Sequence, residues 1–468
     1  MNQELAKIHE ASLQILETTG VRFFHPQILS MLKKKGVKVN GETAFFSPSQ
    51  VEEWIKKAPA VFSVYARNPQ YNILLGGETT EFAAGYGAPI IIDQKGMRRK
   101  AKFDDYLNFL KLIQQCPFFN INGGILVQPA DIGSRHGYPS MLFATLAYSD
   151  KCLMGGAGGA EEVNIVLDML DIVFGRESLM TAPRILAILN STSPLQFDKD
   201  TLDTLLLFAE YGQPVIITPA VMAGTTGPIT IAGTLALSNA EILAGITVAQ
   251  MIREGTPVMY GMQSTAADMR TGGIADGSPE RAICVAYGAR LAKEYGIPYR
   301  GGGTENDAKS LSVQSGYESM LDILVACQEQ TNLIIHSAGT LDSHGAMSYE
   351  KFIVDLEILG MVKRLLQGLN TAQGSLGVKL IKSFGHGAGY SLDDQTRRLS
   401  KEETYTPFIS LKGSLPEGAT PEQELLNKIN SKKEEMLAQY CQPELSPKVL
   451  TRLKAYLASK EIETAILK

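Results

Sequence analysis

The sequence predicts an α/β fold, a (β/α)8 barrel with a helical layer before it and a helical extension after it. Three observations predict this. Eight short apolar or β-rich runs recur between residues 80 and 339, each ending in Gly, Ser, Thr or Pro. Segments of helical length and spacing lie between them, and strand alternating with helix marks a parallel sheet built from crossover units. The chain has 468 residues, enough for one barrel of ~250 residues with extensions at both ends. An open doubly wound sheet would need a break in the alternation, and none is found.

Taken in order, residues 1–60 read as a helical segment. Leu5, Ile8, His9, Leu13, Ile15 and Leu16 recur near helical spacing, and SPSQVEEWIKKAP opens on a capping serine and stops at Pro59. The barrel is expected over 61–372. Early in it, PIIID and MRRKA flank a QKG turn as a hairpin. The eight strands are TEFAAGYG, FFNINGG, KCLMGG, RILAILNSTSP, PVIITPAVM, PVMYGMQST, PYRGGG and NLIIHSAG. Helices are expected at 104–115, 160–174, 199–211, 239–254, 278–295 and 316–330. After Gln373 the rhythm is lost, so 373–468 are expected to pack on the barrel as a C-terminal helical extension.

Composition excludes several classes of function. Hydrophobic residues make up 44% and charged residues 20% of the chain, a globular balance. With 44 basic against 49 acidic groups and no run of Lys or Arg, a nucleic-acid partner is not expected. The N-terminus lacks the apolar core of a signal peptide, and no run of eighteen apolar residues occurs, so a soluble cytoplasmic protein without a membrane partner is expected. Cys116, Cys152, Cys284, Cys327 and Cys441 form no CxxC pair and read as buried thiols. The six histidines have no metal-site spacing, and P-loop, HExxH and GxSxG motifs are absent, so this chain is expected to bind no metal itself.

Barrel enzymes place their chemistry at the C-terminal ends of the strands, and here those ends are polar and glycine-rich. GGAGGAEE at 155–162 resembles a dinucleotide loop only superficially, with no supporting acid downstream. RGGGT at 300–304 fits either a phosphate cradle or close backbone packing. Arg300 ends the seventh strand and His336 the eighth, neighbours across one mouth, where together they can clamp a carboxylate. Arg300 also reads as a loop brace and His336 as a satisfied interior histidine. Tyr86, Tyr260, Tyr299, Tyr349 and Phe352 offer π-faces suited to a quaternary ammonium, or to ordinary core packing. Gln314 and Glu318 in QSGYES lie four apart on one helix face, with Glu318 easing a bound cation, receiving a proton, or serving as a helix-start carboxylate.

Longer motifs add a resemblance. AGTTGPITIAGTLALSNAEILAGITVAQ, DMRTGG, GSPE, YGIPYRGGG, QSGYES and SYEKFIVDLEILG, with NSTSPLQFDKD before them, resemble the trimethylamine methyltransferase family over about residues 11–368. The resemblance implies a (β/α)8 barrel that demethylates methylamines and passes the methyl group to Co(I) of a corrinoid carried by a separate small protein. Founding members of that family carry pyrrolysine. This chain has only ordinary residues, with Gly339 the candidate for the corresponding place, and so is similar to the pyrrolysine-free branch acting on glycine betaine, proline betaine, carnitine and related zwitterions.

On that reading the expected substrate is glycine betaine, giving dimethylglycine. A fixed positive charge on nitrogen already makes a neutral amine the leaving group, so the barrel need only position it. Glu318 and Gln314 are the expected catalytic residues; Arg300, His336, Tyr86, Tyr260, Tyr349 and Phe352 the expected substrate contacts. The expected partners are the quaternary amine, a cognate corrinoid protein and further copies of this chain in a homo-oligomer, with no cofactor bound by the chain itself. A non-catalytic zwitterion-binding barrel is the alternative from another class, and a phosphate-binding lyase built on RGGGT a third.

Overall fold

The apolar runs form strands because both of their faces are covered: every residue of Ile185–Leu189 and of Val258–Met262 is buried, as a parallel sheet wrapped by helices requires. The computed structural model describes residues 1–133, 137–372, 374–387 and 389–462. Its central sheet comprises β1 (Glu81–Phe82), β2 (Ile121–Gly123), β3 (Cys152–Gly156), β4 (Ile185–Leu189), β5 (Val215–Ile217), β6 (Val258–Met262), β7 (Tyr299–Gly301) and β8 (Leu333–Ile334). Each strand pairs in parallel with the next, β8 returns to β1, and a parallel bridge from Phe82 to Phe119 closes the ring beside β2. All eight expected strands are present, and the fold is the (β/α)8 barrel.

The intervening helices are α1 (Phe103–Gln115), α2 (Gly137–Tyr148), α3 (Ala160–Phe174), α4 (Lys199–Glu210), α5 (Ile231–Ile252), α6 (Pro279–Tyr295), α7 (Val313–Gln328) and α8 (Tyr349–Leu366). Helix α2 was not among the expected helices. Tyr138 through Ala147 are all buried in it, so it has no polar face to create a helical period. Helix α5 begins eight residues earlier than expected for the same reason. It is long and apolar enough to cross a bilayer, yet 83% of its most apolar window is buried in the protein, against Gln3–Thr18 and Pro48–Ile55 among others.

Strand parity sorts the side chains. Ile121, Cys152, Met154, Leu186, Ile188, Ile216, Met259, Leu333 and Ile335 fill the barrel interior, while Leu153, Ile185, Val215, Val258, Tyr260, Tyr299 and Ile334 face the helices. A hairpin of Val61–Val64 and Ile73–Gly76 plugs the N-terminal end with Phe62, Val64, Ile73 and Leu75. The other end is rimmed by small sheets. The expected hairpin pairs Ile90–Ile92 with Arg98–Lys100, and Thr340–Leu341 with Ala346–Met347 extends it to four strands.

The first sixty residues are not wholly helical. Helices Gln3–Thr18, Pro26–Lys34 and Pro48–Ile55 alternate with short strands Val21–Phe23, Lys38–Asn40 and Thr43–Phe45, which form a small sheet that Val21–Phe23 joins to Gln196–Phe197. Three-residue strands are too short to leave a period-two signal. Ser47 caps the third of these helices in a capping box with Gln50. Beyond α8, Pro421–Ala438 packs on α8 and α1, and Pro447–Ser459 on α3. Of the five thiols, all free, only Cys116, Cys152 and Cys284 are fully buried.

Candidate active site

Arg300 has the parity opposite to Tyr299, so its side chain enters the barrel near the C-terminal ends of the strands. It is buried, and its Nη1 donates to Thr218 Oγ1 just past β5 (3.3 Å) and to Gln263 Oε1 just past β6. The Gln263 amide is oriented by its other end, Nε2 donating to Glu305 Oε1 at 2.7 Å. Glu305 follows β7 and forms a wholly buried ion pair with Arg281 of α6. His344 lies between two carboxylates, with Nε2 2.7 Å from Glu305 Oε1 and Nδ1 2.7 Å from Asp276 Oδ2.

The backbone is bent to present these rings. Asp342, Ser343 and His344 have consecutive φ values of 56°, 50° and 68°, and His336 has 62°, all in the left-handed region that non-glycine residues avoid at a cost of ~1–3 kcal/mol each. The turn is held by Asp342 N–H to Ala308 O and Ser343 N–H to Asn306 O, both 3.0 Å. It sets His344 edge-on to His336, ring centres 4.3 Å apart, and His336 meets Tyr86 edge-on at 6.5 Å.

Burial and neighbouring charge divide the protons unequally. Burial, His344 and Arg300 hold His336 well below its usual value, a neutral imidazole. Burial alone would raise Glu305, but Arg281 and His344 overrule it and keep the carboxyl well below its usual range. Asp322, buried and with neither oxygen hydrogen-bonded, is pushed up to about 8, chiefly by burial. Burial pulls Arg300 down to about 10, still charged at neutral pH. For His344, burial opposes the charge, yet Asp276 and Glu305 lift it to about 10.

That last shift carries a pH dependence. A base raised in the folded state contributes stability that is complete below its unfolded value, ~6.5, and lost as pH rises through the folded one. Resistance to urea is expected to decline from about pH 6.5 to about pH 10, and His344→Gln to flatten the decline. An equally steep fall in the variant would assign the slope to other groups.

Two glycines make room for Tyr86. A Cβ on Gly124 would stand 2.5 Å from the Tyr86 ring, and one on Gly156 2.6 Å from its hydroxyl. The ring therefore lies across the ends of β2 and β3, with a buried hydroxyl that has no protein partner. The RGGGT glycines are packed instead: a Cβ would meet Tyr299 Oη at 2.2 Å from Gly301, Ala326 Cβ at 2.4 Å from Gly302 and Ile335 O at 2.5 Å from Gly303. These contacts favour packing over a phosphate cradle.

Arg300, His336 and Tyr86 are thus brought together, and three expected ring contacts are not. Tyr260 faces the helices, donating to Asn239 Oδ1 at 2.9 Å and packing on Tyr295 and Tyr299. Tyr349 donates to Asp105 at 2.8 Å and stacks on Phe109, and Phe352 packs on Phe109 and Phe119. Both belong to the first turns of α8, whose buried side meets α1 rather than the mouth. Gln314 does meet Glu318, at 2.9 Å, but Glu318 accepts from the Asp307 N–H at 2.8 Å. The pair braces the loop that carries Glu305. Gly339 has φ 92° with the Met347 side chain against it.

Glu305, Gln263, His344, Asp276 and Arg281 were not anticipated. They come from three loops and a helix start far apart in sequence, and no local spacing announces them. Glu305, His336 and His344 bring ligand atoms within 4.8 Å of one another, the single such group among the described residues. Three cations (Arg281, Arg300, His344) stand against the carboxylates of Glu305 and Asp276, with Asp322 raised by burial toward its neutral form, so the surrounding charge suits an anion better than a metal ion. Arg300 Nε, His336 Nδ1 and Tyr86 Oη are buried there without protein partners.

Comparisons with known proteins agree with this architecture. The family model described as "Trimethylamine methyltransferase (MTTB)" matches residues 1–465. The glycine betaine methyltransferase of Desulfitobacterium hafniense (strain Y51) is 39% identical over 98% of this chain and 96% of its own length. The proline betaine:corrinoid methyltransferase of Eubacterium limosum is 26% identical over 98% and 97%. Among solved structures, the monomethylamine methyltransferase of Methanosarcina barkeri superposes with a TM-score of 0.53 at 9% identity, covering 92% of this chain and 87% of that one.

Proposed function

This chain belongs to the trimethylamine methyltransferase family, and from that premise we propose that it transfers a methyl group from glycine betaine to the Co(I) of a separate corrinoid protein. The observation that carries the substrate is the set of buried polar atoms without protein partners, Arg300 Nε, His336 Nδ1 and Tyr86 Oη, beside a surplus of positive charge. With Nη1 engaged by Thr218 and Gln263, Nε on the opposite edge of the guanidinium has no protein partner, the edge that receives a carboxylate side-on.

Arg300 and His336 hold the carboxylate, and Tyr86 closes the cavity over the ends of β2 and β3. The trimethylammonium group then points toward the mouth. Gln263, fixed by Glu305, keeps the guanidinium from rotating. The methyl carbon leaves nitrogen without its bonding pair, the pair remains on nitrogen, and dimethylglycine is the amine product. Cobalt, as methyl acceptor, is a substrate brought by the partner, and the chain binds no cofactor of its own in this reading. Glu318 and Gln314 act as positioning residues through the loop after β7.

Mixing the purified chain with a reduced corrinoid protein and glycine betaine is expected to produce the methyl-Co(III) absorption spectrum and an equal amount of dimethylglycine. Proline betaine and carnitine, run beside it, rank the pocket, and trimethylamine is expected to be the poorest donor. Tight betaine binding with no change at cobalt would leave a zwitterion-binding barrel in place of an enzyme.

A further inference from the structure

We propose that an arm made of residues 367–372, 374–387 and 389–403 packs on a second copy of this chain, at the end of the barrel opposite the active site. Helix α8 follows β8 and runs back from the mouth, so its C-terminus lies at the plugged end. Arg364 there donates to Gly368 O at 3.2 Å and to Glu403 O at 2.6 Å. The segment leaves and returns at one point, and its helices Val378–Phe384 and Asp394–Glu403 bury no residue in their own chain.

What the arm exposes is apolar. Leu369 is 88% exposed, Leu392 79% and Val378 66%, with Leu376 and Ile381 more than half exposed and Leu365 leading into them. With Met361, Leu366 and Tyr390 these side chains present on the order of 1,000 Å², against roughly 800 Å² per partner in a stable interface. Single exposed leucines are unremarkable, but nine such side chains between Met361 and Leu392 mark an interaction site.

The same end of the barrel offers a surface to receive it. The outer face of the plugging hairpin exposes Val61, Tyr65 and Leu74, beside a cleft of about 350 Å³ lined by Val61, Glu78, Lys293 and Glu329 among others. From Lys363 to Leu392 the sequence has no Asp or Glu but carries Lys379 and Lys382 on the arm, a charge that suits Glu78, Glu329 being already paired with Arg290. Every copy has both arm and receiving face, so a reciprocal exchange closes on itself as a two-fold dimer. Packing there leaves the mouth open to the corrinoid partner.

Sedimentation equilibrium of the full chain tests this. The unaltered chain is expected to dimerise at micromolar concentration, and Ile381→Asp with Leu392→Asp to weaken association at least a hundredfold without changing the circular dichroism. Leu369→Ser alone, the milder variant, is expected to weaken it measurably. Amine cross-linking of mixed isotopically light and heavy protein is expected to join Lys379 or Lys382 of one copy to Lys293 of another. A monomeric wild type, an unaffected double variant, cross-links confined to one copy, or flotation with phosphatidylserine-containing vesicles in place of self-association would overturn the proposal.

Discussion

Arg300→Ala is expected to weaken glycine betaine binding by roughly 30- to several-thousand-fold, the equivalent of ~2–5 kcal/mol for truncating one side of a buried charge pair. The guanidinium is fixed before the ligand arrives, because Thr218 and Gln263 occupy one edge and leave Nε free. The loss therefore falls on the carboxylate and spares the ammonium end. Choline, which has the same trimethylammonium group and no carboxylate, serves as the internal control in calorimetric titration and is expected to bind the variant nearly as it binds wild type. Arg300→Lys keeps the charge but lacks the paired donors, so it is expected to recover only part of the loss. Equal weakening of betaine and choline would remove Arg300 from the anchoring role.

Glu305→Ala is expected to give the largest loss of stability, ~3–5 kcal/mol, because it strands the fully buried Arg281 guanidinium. It also removes the acceptor of Gln263 and one of the two carboxylates holding His344. The sign of its pH dependence is opposite to that of His344. An acid held low in the folded state contributes stability above its unfolded value, ~4.3, and loses it as pH falls through the folded value, so the variant should lose part of the acid sensitivity of wild type. Urea denaturation reads the loss. Arg281→Met in the same background is expected to restore much of it, since removing both members of a buried pair costs far less than removing one. Additive losses in the double variant would show that the pair is not the source.

The parts of this protein that were legible in the sequence are the local ones. PVMYGMQST and RILAILNSTSP read as strands because each is short, apolar and punctuated, and 160–174 as a helix because its polar and apolar faces alternate. Helix α2 was invisible for the complementary reason, having no exposed face. Arg300 and His336 were legible as strand-end residues once the barrel was inferred. Tyr260 was misplaced by a single step of parity, since a strand sends neighbouring side chains to opposite faces and β6 is apolar on both.

The sequence by itself determined the barrel, the order of its strands and the end at which Arg300 and His336 meet, because strand and helix periods and their alternation are properties of neighbouring residues. Only the tertiary structure decided which side chains enter the mouth. Tyr349 and Phe352 left it because α8 turns them toward α1, and Glu305, His344 and Asp276 joined it because three loops converge. Contacts between residues 39 and 68 apart follow from strand register and loop path in space, and no local pattern encodes them.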